Sequence, residues 1–292
     1  MKRVVTVLTA FLLIACTSWA QQEIDESRAA SPDGVVEVHN IAGSVDVVGW
    51  NQSQVKVTGT LGRGTERLAI ESSGNRTVIR VILPHHARNV DGSDLTVQVP
   101  RSSRVEVETV SASVSAHDLT GKLDLQSVSG EISVKGNPSQ MECSSVSGTI
   151  EIEAAPDKTS LETVSGKIKV ARADGELTAN SVSGSLIIQD GSIDGGRLST
   201  TSGTIRCEAA PTGNGSLKLK SLSGSVTLVV PKDVAADFEL STFSGTINNE
   251  IGPKAERTSK YAPGRRAEFS TGTGGPHIEM NSFSGTIELL TK

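Results

Sequence analysis

The sequence predicts an all-β chain wound as a parallel β-solenoid, a single-stranded β-helix-like fold with about 18–21 residues per coil. A phrase made of a small hydroxyl residue, Val, Ser and Gly recurs along the chain, and a fixed period of this size is typical of repeat architectures. Apolar and polar residues alternate on both sides of each phrase. Aromatic residues make up only 3% of the chain, which suits a narrow aliphatic core. The repeat length is defined by four glycines spaced 18 residues apart: Gly130, Gly148, Gly166 and Gly184.

Each repeat is predicted to be a strand, a Ser-Gly bend and a second strand. Apolar residues fall seven and five positions before the glycine and two and four after it, as in Leu123, Leu125, Ile132 and Val134 around Gly130. This is the period of a half-buried strand. Glycine suits the bend because it lacks Cβ and adopts backbone angles that other residues avoid.

One such unit cannot bury its apolar face alone, so we expect coils to stack about 4.8 Å apart into two main parallel sheets. An ordinary antiparallel sandwich would also give short strands at regular spacing. A sandwich, however, has no reason to keep an 18-residue register.

Residues 1–20 are interpreted as a secretory signal, because two basic residues precede an apolar run at 4–15 that is too short to span a membrane. Two cleavage sites remain open. Small residues before Gln21 favour ordinary signal peptidase, whereas the Leu-Ile-Ala-Cys stretch resembles a bacterial lipobox in which Cys16 would be lipidated. Both interpretations export the protein to the periplasm or cell envelope, and the second makes it an outer-membrane lipoprotein.

The rest of the chain is predicted to divide into three parts. A polar lead-in covers 21–34 and ends in a Ser-Pro-Asp-Gly turn. An N-terminal, less regular β section covers 35–104; it opens with a diverged coil around Gly43, and its later strands include antiparallel ones. The regular solenoid covers 105–292, with a Pro- and Gly-containing loop insertion at 250–277.

The register continues to the end of the chain with small insertions. Its later glycines are spaced by 19, 21, 21 and 40 residues, and the last interval is predicted to hold two successive coils. Leu222, Phe243 and Phe283 replace the valine of the phrase. We expect these larger side chains to close the end of the core.

Cys143 and Cys207 occupy slots that neighbouring repeats fill with Leu, Ile or Val. The glycines of their two repeats, Gly148 and Gly203, are three coils apart, which is about 14 Å. A disulfide requires Cα atoms within about 7 Å. The prediction is therefore two free, buried thiols that act as small hydrophobic side chains.

No catalytic, cofactor or metal site is assigned, and the chain is predicted not to be an enzyme. His85 and His86 form the only histidine pair, near Asp91 and Asp94, but adjacent strand residues point to opposite faces, which favours a solvated loop over a metal site. The serines recur in every coil, whereas a nucleophile would be expected once. We expect their hydroxyls to hydrogen-bond along the corner.

One local charge feature stands out in the C-terminal insertion. A solvated loop is the favoured interpretation, and the alternative is a contact for a partner or for anionic envelope material such as lipid headgroups or acidic glycans. The net charge of −5 gives no global basic bias, so nucleic acid is not an expected partner. The cluster consists of Lys254, Arg257, Lys260, Arg265 and Arg266.

These phrases carry a family resemblance over nearly all of the chain after residue 20. The chain resembles a bacterial family of SVSG-type β-strand repeat proteins of unknown function, labelled as adhesins on their architecture. The resemblance rests on SVSG at 127–130, 145–148 and 181–184, TVSG at 163–166, SLSG at 221–224, and the closing TFSG and SFSG.

The resemblance implies a fold and a location more than a mechanism. It leads us to expect an exported, non-enzymatic envelope protein that serves as an adhesin or binding scaffold. The alternatives are a periplasmic partner-binding or stress-linked component and, less favoured, a polysaccharide-acting β-helix enzyme. The expected partner is an envelope protein or a glycan, and membrane contact is expected only through a lipid anchor.

Overall fold

The computed structural model describes residues 22–85, 90–259 and 263–292. These residues form β-strands, turns and loops and contain no helix, so none of the described segments is a helix that could cross a membrane. The predicted signal segment 1–20, including Cys16, lies outside the described residues, as do His86 and Lys260.

The strands before the regular repeats are β1 (Gln22–Ala29), β2 (Val35–Asn40), β3 (Gly43–Trp50), β4 (Gln54–Leu61), β5 (Arg67–Ser73), β6 (Arg76–Ile82) and β7 (Ser93–Pro100). Those of the regular repeats are β8 (Arg104–Thr109), β9 (Ser113–Leu119), β10 (Lys122–Ser127), β11 (Ile132–Gly136), β12 (Gln140–Ser145), β13 (Ile150–Ala154), β14 (Lys158–Thr163), β15 (Ile168–Ala173), β16 (Glu176–Ser181), β17 (Leu186–Ile193), β18 (Gly195–Thr200), β19 (Ile205–Pro211), β20 (Ser216–Ser223) and β21 (Val226–Val230). The C-terminal ones are β22 (Ala236–Thr242), β23 (Thr246–Asn249), β24 (Glu256–Arg257), β25 (Arg265–Thr271), β26 (His277–Ser284) and β27 (Thr286–Thr291).

These strands build two large sheets, which we call sheet A (13 strands) and sheet B (14 strands). From β8 to β21 each coil gives one strand to sheet B and the next to sheet A, and every strand pairs in parallel with its equivalent in the neighbouring coil. The all-β parallel solenoid is therefore confirmed, and the antiparallel sandwich is not the fold.

The core is made of ladders of equivalent side chains. Leu123 pairs in register with Val105 on one side and Met141 on the other. The positions predicted to face inward are buried in every coil from 105 to 188, and the diverged coil around Gly43 buries its valines in the same way. Both predicted thiols, Cys143 and Cys207, are free and buried.

Close backbone contact explains the glycine of the bend. The φ angles of Gly130, Gly148, Gly166 and Gly184 are not positive, contrary to the expected need for unusual angles. Instead, a Cβ on Gly148 would lie 2.0 Å from the carbonyl oxygen of Gly130 in the preceding coil. Glycine is needed here because adjacent coils touch at the bend.

At the N-terminal end, the first coil of the chain is not the outermost coil of the stack. The β2–β3 coil lies between the β6–β7 coil and the β8–β9 coil, with parallel pairing on both sides. Antiparallel strands then cover this end: β4 and β1 continue sheet A, and β5 ends sheet B.

The C-terminal end has the same arrangement, which the sequence did not predict. The β26–β27 coil lies between the β20–β21 coil and the β22–β23 coil. Two further strands lie between β23 and β26 in the sequence. β25 pairs antiparallel with the outer edge of β22, and β24 pairs antiparallel with β25. The prediction of two successive coils in the 40-residue interval is therefore wrong.

The prediction for the closing side chains is wrong as well. Leu222, Phe243 and Phe283 are 53–55% exposed and do not close the core. The end of the core is occupied by Phe238, whose ring stacks on Phe269 of β25 at 5.0 Å between centroids. The alternation explains the error, because the position before Ser-Gly points out of the coil.

Candidate binding surface

The corner between the two sheets is shaped by the hydroxyl that opens each phrase. Ser145 faces inward, and its Oγ accepts a hydrogen bond from the N–H of Gly148 at 2.8 Å. The same bond recurs from Gly130 to Ser127 at 2.9 Å. With this hydroxyl turned inward, the following residue of the phrase must turn outward.

That outward position is apolar in nearly every coil. Within the described ranges, all the exposed large hydrophobic residues lie on this one corner, and each is 43–55% exposed. We call the row the apolar corner. In spatial order it consists of Ile41, Val110, Val128, Val146, Val164, Val182, Leu222, Phe283 and Phe243.

Backbone hydrogen bonds hold the row in line. The N–H of Ser147 donates to the carbonyl oxygen of Val128, and that of Ser165 to Val146, each at 2.9 Å. Thr201 takes the equivalent position between Val182 and Leu222 and divides the row. We call the five valines before it the valine ladder (Val110, Val128, Val146, Val164 and Val182) and the part after it the aromatic tip (Leu222, Phe283 and Phe243).

A groove of about 590 Å³ runs beside the valine ladder. The valines form one wall, and the inward hydroxyls, such as Ser127 and Thr163, form the floor. The other wall is polar and consists of Glu108, Gln126, Ser144, Glu162 and Asn180. The surface thus offers a continuous aliphatic edge with hydrogen-bonding groups alongside it.

The aromatic tip differs from the ladder in packing and in hydrogen bonding. The rings of Phe243 and Phe283 stack with 4.8 Å between centroids. Beneath this tip the inward hydroxyls of Ser221, Thr242 and Ser282 have no hydrogen-bond partner among the described residues. The corner therefore changes character where its side chains become larger.

The predicted basic cluster is only partly assembled. Arg266 is ion-paired with Glu239 at 3.1 Å and also contacts Glu268. Arg265 lies in register with Thr242, the residue before Phe243, and Arg257 lies in register with Arg265. Lys254 is exposed in the loop before β24, and Lys260 lies outside the described residues.

The loop predicted to be solvated around the histidine pair is exposed at His85. Asp91 is bound by Arg63 at 2.7 Å, and Asp94 accepts a hydrogen bond from Ser44 at 2.8 Å. Across the parts of the chain that the structure describes, no three His, Cys, Asp or Glu side chains come together as a metal site would require.

The outward charges of sheet B pair both within a strand and between coils. Hydrogen bonds from His39 and Arg76 lower the pKa of Glu37 to about 2. Lys220 and Lys218 lie 2.8 and 3.2 Å from Glu279 and lower its pKa in the same way.

Burial raises the pKa of Cys207 to about 11 and also raises that of Cys143.

The serines that directly precede each glycine contribute less hydrogen bonding along the corner than expected. The Oγ of Ser183 lies 3.4 Å from that of Ser165, so contact along the corner is weak. The hydroxyls that satisfy the bend belong to the residue two positions earlier. Sequence reasoning missed the apolar corner, although an apolar residue that recurs at an outward position was a sufficient signal.

These features define a class of protein: a coil-repeat β scaffold whose exposed large apolar side chains, in the part of the chain that the structure describes, lie on one corner. The model of the Toastrack DUF4097 family matches residues 65–179 and 157–290. Because these matches cover more than half of the chain, it belongs to the Toastrack DUF4097 family. A search of the curated proteins gave no match.

Solved structures that are similar to the chain include the following three. A "putative adhesin" from Bacteroides fragilis NCTC 9343 has 11% identity and a TM-score of 0.46, covering 93% of this chain and 98% of that one. A "putative adhesin" from Parabacteroides distasonis ATCC 8503 has 11% identity and a TM-score of 0.46, covering 92% and 97%. A "putative cell adhesion protein" from Clostridium sporogenes ATCC 15579 has 9% identity and a TM-score of 0.26, covering 93% and 100%.

Proposed function

We propose that this chain is an exported, non-enzymatic binding scaffold of the cell envelope and that the valine ladder is its contact surface for a partner protein. The observation that carries the proposal is the confinement of exposed large hydrophobic side chains, throughout the described ranges, to one corner. Scattered apolar residues are normal on a protein surface, whereas a continuous row marks an interaction site.

The chemistry of the ladder favours a protein over a glycan. Between Val110 and Val182 the exposed row is aliphatic, and it offers no aromatic face on which a sugar ring could stack. An apolar strip on a protein partner would cover the valines, and its backbone could hydrogen-bond to the polar wall of the groove, for example at Gln126 and Asn180.

The outward charges support a scaffold without catalysis. Lys169 donates to Glu151 in the preceding coil at 2.6 Å, and Arg172 donates to Glu153 at 3.0 Å. Glu37 and Glu279, whose pKa values are lowered, take part in the same kind of pairing. Such pairs keep an exposed sheet soluble and set the charge order between coils.

The leader at 1–20 supports export, with cleavage before Gln21 or lipidation at Cys16 as the two routes. Adhesion to another surface and binding of a partner within the envelope would use the same corner. Protease treatment of intact cells distinguishes them, because only a surface-exposed adhesin is cleaved.

Site-specific photocrosslinking tests the proposal. A photoreactive amino acid at Ser147, which is exposed beside the ladder, should give one discrete adduct in cells that produce the full chain. The matched control is the same amino acid at Lys135, exposed on sheet A. Identical adducts at both positions, or none at Ser147, would contradict the assignment.

A further inference from the structure

We propose that the aromatic tip is a docking surface for a lipid bilayer with anionic headgroups. The tip is separate from the valine ladder, and the inference goes beyond both the proposed partner protein and the lipid anchor expected at Cys16. Phe243 and Phe283 are each more than half exposed although they are the largest side chains in the row. Paired aromatic rings beside aliphatic surface are suited to the boundary between headgroups and acyl chains.

Two arginines lie near the tip in the backbone pairing of sheet B. The backbone of Arg265 pairs with that of Thr242, which immediately precedes Phe243. Arg257 pairs with Arg265 one strand further out, so its Cα lies within about 10 Å of Thr242 at normal strand spacing. No ion pair to either arginine occurs among the residues that the structure describes, whereas Arg266 is already paired with Glu239.

The sequence around these arginines is basic in a chain that is acidic overall. Residues 250–271 contain five Lys or Arg and three Glu, against a net charge of −5 for the whole chain. Arginine beside a negatively charged leaflet is attracted to lipid phosphates. The apolar rings and the two arginines therefore fit one partner, an anionic bilayer, better than an uncharged one.

The place of the tip in the stack gives docking an orientation. Phe243 belongs to the β22–β23 coil, the last coil at this end of the solenoid. Four coil spacings, about 19 Å, separate it from Val182. A bilayer that receives the tip leaves the valine ladder in water, free for its partner.

Vesicle binding tests the inference. The purified full chain is sedimented with vesicles of phosphatidylcholine containing 30% phosphatidylglycerol and with vesicles of phosphatidylcholine alone. We expect at least tenfold tighter binding to the anionic vesicles. The F243S/F283S variant should lose at least tenfold, and R257Q/R265Q should lose the preference for anionic vesicles.

The matched control is V128S/V146S, which replaces two exposed residues of the same corner at a distance from the tip and should bind as the wild type does. A second measurement does not depend on tolerance of the double variant. In F243W the new indole should shift its emission to the blue on addition of anionic vesicles and be quenched by brominated lipid. Equal binding to both vesicle types, unchanged binding of F243S/F283S, or an unshifted F243W spectrum would overturn the proposal.

Discussion

Phe243 stacks on Phe283 with 4.8 Å between ring centroids and 9° between planes, and the coil of Phe283 lies inside that of Phe243 although it comes later in the chain. The last coil of the chain is therefore enclosed by an earlier one. The β2–β3 coil is enclosed in the same way at the other end. Both terminal coils pair on two sides, which protects them from fraying and blunts exposed sheet edges.

The order of the C-terminal coils predicts unequal costs for two equivalent substitutions. Ile287 and Ile247 hold the same slot and pair in register, but Ile287 is fully buried and Ile247 is only partly buried. I287A should lower the free energy of unfolding by about 3–4 kcal/mol, and I247A by less than half as much. Denaturant unfolding of both variants measures the difference. A larger cost for I247A would mean that the coils stack in sequence order.

Backbone contact at the bend predicts that even a methyl group is not tolerated there. In G148A the new Cβ would press on the carbonyl oxygen of Gly130, so we expect a loss of about 3 kcal/mol or more in unfolding free energy. The neighbouring exposed Ser147 provides the control, since S147A should change stability by less than about 0.5 kcal/mol. Equal effects of the two substitutions would refute the contact explanation.

The ion-pair cluster of Glu37 predicts a contribution to stability that depends on pH. Its folded-state pKa of about 2 lies below the ordinary value of 4.5, because His39 and Arg76 favour the charged carboxylate. Its contribution is complete above pH 4.5 and is lost as the pH falls towards 2. E37Q should therefore have a lower free energy of unfolding than the wild type at pH 6, and this difference should become smaller by pH 2. A difference in unfolding free energy that stays constant across that range would contradict the lowered pKa.

Burial of both thiols predicts slow chemistry in the folded state. Cys143 and Cys207 are at most 1% exposed, and burial raises the pKa of each, so little thiolate is present at neutral pH. A thiol reagent such as DTNB should react with them only in denaturant. In the V146C variant one additional thiol should react without denaturant, because position 146 is exposed. Rapid reaction of the native cysteines would show that the core is open.

The repeated phrase was enough to predict the middle of the fold. Alternation around Gly130 to Gly184 fixed which side chains face inward, because a strand has only two faces. The exchanged coils at the ends could not be predicted, since the phrases around Gly245 and Gly285 are equivalent and only their long-range pairing determines which is outermost.

The candidate site was predictable in principle and was missed for a different reason. The bend alone explains the recurrence of Ser-Val-Ser-Gly, and the large side chains of Phe243 and Phe283 predict a place in the core. Successive side chains point to opposite faces, so Val146 must face outward because Ser145 faces inward. The pairing of Arg265 with Thr242, by contrast, depends on an antiparallel strand that does not belong to the repeat pattern.

The most direct test of the central claim combines stability with partner binding in one variant. In V128S/V146S/V164S/V182S, four exposed valines become polar, and the photoreactive amino acid is kept at Ser147. We predict that the unfolding free energy changes by less than about 2 kcal/mol, as for surface residues, while the Ser147 adduct disappears. An adduct at unchanged yield, or a loss of stability typical of buried valines, would contradict the claim that this corner is a binding surface.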